Sequence, residues 1–190
     1  MGILILFFLM FSLVIFEKEL VFLNGFLFVA TGAFHHGDLG HLLGNLIFLF
    51  ALGNYFSSRI GWWRYLLFVF AVGLVCNLLT TGIRGENVIG ISGVVWALLG
   101  TLLVTEPKLQ LQCSYWVLVK WGKTLFTLPL AVGFWALGEV IALVLYQGQF
   151  IAHEGHLAGF VIGLIIGMVI RYRSKQSPQV DKRKNDCKER

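Results

Sequence analysis

About six apolar runs, most of them about 15 to 24 residues long and joined by short polar breaks, leave this chain few ways to fold. A membrane-spanning helix needs about 20 consecutive apolar residues, and runs packed this densely leave no stretch for a separate soluble domain. Only 13% of the 190 residues are charged, and the mean hydropathy is +0.80, whereas soluble domains carry about a quarter charged residues. The expectation is an all-α membrane protein, a six-transmembrane-helix bundle folded as one domain.

Met1 to Phe16 is apolar apart from Ser12 and has neither a basic start nor a small-residue cleavage site, so it reads as a retained first span rather than a signal peptide. Leu20 to Phe34 is too short to cross comfortably and reads as a re-entrant or interfacial loop. The second span is expected at Leu39 to Phe56, the third at Trp62 to Leu79 and the fourth at Val88 to Thr105. Glu106 to Gly122 reads as a mixed loop whose apolar part, Tyr115 to Trp121, lies along the membrane surface. The fifth span is expected at Lys123 to Tyr146, with Pro129 as a kink, and the sixth at Ile151 to Tyr172.

The net charge of +5 suggests nucleic-acid binding only until its location is read. Residues 171–190 hold eight basic and three acidic residues, so the whole excess sits in one tail and the rest of the chain is neutral. That pattern fits a cytoplasmic anchor near anionic lipid, with no nucleic-acid partner, and residues 173–190 are expected to be disordered. With both termini cytoplasmic, inside segments carry thirteen Lys and Arg against Lys18 and Arg84 outside. Cys76, Cys113 and Cys187 are odd in number and show no CxxC spacing, so neither a disulfide framework nor a thiolate metal site is expected.

On that topology the second, fourth and sixth spans run the same way, and four polar residues fall at similar depth. They are His41, Asn45, Ser92 and His156. Gly90 and Gly93 flank Ser92, and Gly155, Gly159, Gly163 and Gly167 recur every four residues, a stripe that lets two helix backbones approach closely. A serine hydroxyl becomes a nucleophile only with a base within about 3 Å, and neutral imidazole is the usual one. Ser92 and His156 would form that pair, and His41, Asn45 and backbone N–H groups near Ser92 would stabilise an oxyanion. Glu154 lies on another side of its helix from His156, so a Ser–His dyad is expected rather than a triad.

At these residues the chain resembles the rhomboid family of intramembrane serine proteases. The resemblance lies in Gly90-Ile91-Ser92-Gly93 (GxSG), in His41 to Asn45 (HxxxN) with His36 before it, and in His156, Gly159 and Gly163 (HxxGxxxG), in family order over about residues 27–170. It implies a catalytic domain at 1–172 that cleaves transmembrane segments of membrane proteins, with Ser92 as nucleophile, His156 as general base and His41 with Asn45 as oxyanion donors. It implies no cofactor and no metal, and a lipid bilayer as surroundings; a bacterial cytoplasmic membrane is expected. Three positions depart from the family pattern: Leu27-Phe28 stands where many members carry Trp-Arg, Trp96 where Tyr often faces the histidine, and Gly155 where Ala commonly precedes it.

Two other readings stay open. All five histidines fall on the outer side, and with Asp38 and Glu154 they offer ligands for a metal transporter or metalloenzyme, although His153-Glu154-Gly155-His156 is one residue short of HExxH. The other is a catalytically silent adaptor. His36 is expected to bond loop backbone and His153 to be an interfacial polar residue. Glu139, deep in the fifth span, reads either as a gate or transport relay, or as a side chain reaching headgroups or cavity water.

Overall fold

The computed structural model describes residues 32–36, 39–85, 90–117, 120–146 and 152–176. The expected first span, most of the stretch from Leu20, and the tail beyond residue 176 lie outside the described residues. Five α-helices are present among those described: α1 (Leu39–Ile60), α2 (Trp62–Arg84), α3 (Ser92–Thr105), α4 (Leu128–Tyr146) and α5 (His153–Gln176). Strands β1 (Gln110–Val117) and β2 (Lys120–Thr127) separate α3 from α4.

Helices α1, α2 and α5 are long and apolar enough to cross a membrane; α3 and α4 are shorter apolar helices. Their surfaces match a lipid solvent. Ile47, Trp63, Phe134 and Val144 point outward, while Asn45, Asn77, Thr80 and Thr101 are buried between helices. In lipid, packing and polar contacts inside the bundle hold helices together, because burying apolar surface gains nothing there.

The tightest packing in the bundle joins α3 to α5. A methyl group on Gly159 would overlap the carbonyl of Gly93, and one on Gly163 the carbonyl of Ala97. The four-residue stripe is therefore a line of backbone contact, reinforced where the Thr101 hydroxyl donates to the Gly163 carbonyl at 3.1 Å. Arg84 at the end of α2 pairs with Glu154 in the first turn of α5 at 3.0 Å, tying those two helix ends together.

Three boundaries differ from those expected of the sequence. Residues 106–122 are not simply an interfacial loop, and the fifth span does not begin at Lys123. β1 and β2 pair antiparallel from Gln110↔Thr127 to Val117↔Lys120, and α4 starts only at Leu128. Lys120, Gly122, Lys123, Thr124 and Thr127 are poor candidates for a lipid-embedded helix, whereas cross-strand pairing satisfies their backbone outside the core. The Leu128 amide closes the hairpin on the Leu109 carbonyl at 2.8 Å.

Pro129 is consequently the second residue of α4, a position that needs no N–H donor, and is not a kink. The fourth span is also shorter at its start. Gly90 has φ +111°, which no helix contains, so Ser92 is the first helical residue rather than the fifth of a span. At the other end, α5 continues to Gln176, so Arg173 and Lys175 are helical.

Candidate functional site

Helix α3 has 14 residues, about 21 Å of rise, well short of the roughly 30 Å core of a bilayer. By itself it cannot reach both surfaces of the layer. Two features fix its start. The Gly90 amide donates to the Gly32 carbonyl at 2.9 Å, and Val94 and Val95 donate to the Ile91 carbonyl at 2.9 and 3.3 Å. The amides of Ser92 and Gly93 lie in the first turn, where a helix supplies no acceptor of its own.

A cavity of about 470 Å³ opens at this point, lined by His41, Asn45, Ser92, Trp96, Glu139 and His156, with Phe48, Phe134 and Trp135 among its apolar walls. Across it, Nε2 of His156 lies 2.8 Å from Oγ of Ser92, a hydrogen bond between residues 64 positions apart. The His156 ring stacks on Trp96, centroids 5.8 Å apart at 24°. The tryptophan thus fills the role of a ring packed against the histidine. All four residues aligned in depth by the sequence do line one cavity.

His36 and Asn45 form a separate polar link beside that cavity. Nδ1 of His36 donates to the Phe34 carbonyl at 3.2 Å, which leaves Nε2 to accept from the Asn45 amide at 3.1 Å. His36 is then a structural partner of loop backbone, as its sequence position suggested. The Asn45 amide nitrogen keeps a second N–H. His41 rests against Gly90, where a methyl group would come within 2.8 Å of its Cε1, and its ring meets His36 edge-on at 5.1 Å.

Glu139 and His153 are the two residues whose placement the sequence did not disclose. Oε2 of Glu139, on α4, lies 2.9 Å from Nδ1 of His156 and 2.5 Å from Nδ1 of His153. The aligned hydrogen bond is the one to His153; the His156 Nδ1, though close, has its N–H off the oxygen. His153 is buried, 4% exposed, rather than interfacial. Of the alternatives weighed for Glu139, the cavity-lining one matches. Glu154 is committed to Arg84 at the rim.

A signal for part of this existed. His153 and His156 are spaced i, i+3 on one helix face, and Glu139 is an ionisable group inside an apolar helix. That α4 leans its carboxylate onto that face is a non-local fact. The three side chains present ligand atoms within 4.8 Å of one another, the one group among the described residues with such a donor set.

Comparison with known proteins identifies the family. The family model described as a rhomboid domain matches residues 23–173. Curated relatives named rhomboid protease GlpG include one from Klebsiella pneumoniae, 28% identical over 137 residues, which cover 72% of this chain and 46% of the relative. Another, from Yersinia pseudotuberculosis, is 26% identical over 134 residues, covering 70% and 44%. A third, from Salmonella choleraesuis, is 26% identical over 139 residues, covering 73% and 46%. The chain spans about half the length of the curated relatives it matches.

Proposed function

The chain belongs to the rhomboid family and is an integral membrane protein, and from that premise we propose that it is an intramembrane serine endopeptidase working through Ser92 and His156. The observation that carries this reading is the 2.8 Å Ser92–His156 hydrogen bond inside a walled cavity. A hydroxyl and an imidazole at that distance, on helices locked together by glycine contacts, are in position for proton transfer without reorganisation.

In the first step the Ser92 hydroxyl proton passes to Nε2 of His156 as Oγ bonds the scissile carbonyl carbon, and the carbonyl π electrons move onto oxygen. The first-turn amides of Ser92 and Gly93, the spare N–H of Asn45 and the His41 ring are the donors proposed for that oxyanion. The oxyanion electrons then re-form the carbonyl as the C–N bond breaks and His156 gives its proton to the departing amide nitrogen, leaving the acyl-enzyme on Ser92. Water hydrolyses the acyl-enzyme with His156 again as base.

The proposed substrates are transmembrane segments of other membrane proteins, entering sideways beside α4, whose Phe134 is 75% exposed and also lines the cavity. Six spans with both termini cytoplasmic, a catalytic unit at 1–172 and a bacterial cytoplasmic membrane complete the proposal. The test is co-expression with a panel of tagged single-span proteins. Wild type is expected to cleave at least one and Ser92→Ala none, while the variant retains wild-type thermal unfolding. Equal cleavage by both would refute the assignment.

A further inference from the structure

For Nε2 of His156 to take the serine proton, the neutral ring must carry its own hydrogen on Nδ1. Something has to hold that tautomer and compensate the positive charge that follows. The group facing Nδ1 is the Glu139 carboxylate, 2.9 Å away. We propose that Glu139 is a positioning residue for His156, itself steadied by His153, so that the site is a Ser–His–Glu relay backed by a second imidazole. This rests on the reading of Ser92 and His156 as the catalytic pair.

Three observations favour the relay over a packing role. A carboxylate on an apolar helix is costly and persists where partners meet it; Phe134, Leu137, Val140 and Ile141 around Glu139 all face outward while it turns in. Its Oε2 contacts both imidazoles, and the bond to His153 fixes the carboxylate against α5. Nδ1 of His156 is buried with no other hydrogen-bond partner, so Glu139 is the acceptor within reach. The bond is off-axis in the resting site. Catalytic hydrogen bonds of this kind commonly tighten only with substrate bound. Glu154 cannot substitute, being paired with Arg84.

The test uses the full chain in lipid nanodiscs with a cleavable single-span substrate, comparing wild type, Glu139→Gln, Glu139→Asp and His153→Gln. Gln keeps the shape of Glu139 and removes its charge. Glu139→Gln is expected to lower kcat about ten- to a hundredfold at unchanged KM, below the loss seen where the carboxylate is fully aligned. Fluorophosphonate labelling of Ser92 should slow by the same factor. Glu139→Asp should retain more activity than Gln, and His153→Gln should lose several-fold.

Wild-type kcat in Glu139→Gln would overturn the role of Glu139. So would equal losses in Gln and Asp accompanied by a lowered unfolding midpoint, which marks a structural role. Activity removed by EDTA and restored by Zn²⁺ would overturn it too, assigning the cluster to a cation instead. An unlabelled Ser92 in wild type, with Ser92→Ala still cleaving, would sink the protease reading itself and this inference with it.

Discussion

Residue by residue, the site is set by which side chains are shut away from water. His35 is fully buried, and desolvation pulls its pKa below the ordinary 6.5. A lowered folded-state pKa means that the unfolded chain binds the proton more readily. His35 therefore costs no stability above the usual histidine range and costs progressively more as pH falls below about 6.5, at up to about 1.4 kcal/mol per pH unit. Comparing wild type with His35→Asn, the variant should show a shallower loss of unfolding free energy from pH 7 to 5; parallel curves would count against it. Asn45 offers a different check. Its amide donates to His36 and has a second N–H for an oxyanion, so Asn45→Ala should lower kcat about 10- to 1,000-fold with little change in KM.

Between elements, the decisive contact is α3 on α5. Ser92 and His156 sit on these two helices, so anything that separates the backbones breaks their 2.8 Å contact. Gly163→Ala would push a methyl into the Ala97 carbonyl and should destabilise by about 1–3 kcal/mol, with loss of Ser92 labelling. Gly133→Ala is the matched control. That position on α4 has open space around it, and the substitution should be neutral or slightly stabilising because alanine favours helix. Thermal unfolding of both variants decides between backbone contact and a general intolerance of alanine. The hairpin belongs to this scale as well: it takes the polar segment before α4 out of the helix and puts Pro129 in a first turn.

For the whole molecule, the distribution of charge sets the proposed orientation. In a chain whose sole thiol is Cys187, a membrane-impermeant maleimide should label the tail only after the membrane is permeabilised, whereas a cysteine placed at Gln149 should label from outside. The reverse pattern would invert the topology and put the cavity on the other face. Helix positions α1, α2 and α5, the histidine and serine motifs and the glycine stripe were all legible in the chain. Each is written locally, as an apolar run or a fixed spacing, and a bilayer leaves such runs little choice but to form helices. The helical start at Ser92 was hidden, because one positive φ at Gly90 overrides an apolar run that continues through it. The strand pairing of 110–127 was hidden too, since its first half reads as a loop and most of its second half as the start of the fifth span until the two are side by side. Above all, Glu139 gains its position from how α4 lies against α5, and no spacing along the sequence encodes the contact between a carboxylate on one helix and two imidazoles on another. Local pattern determined which segments are apolar enough to enter the membrane and which residues are candidates for the chemistry; packing alone decided what stands behind the histidine.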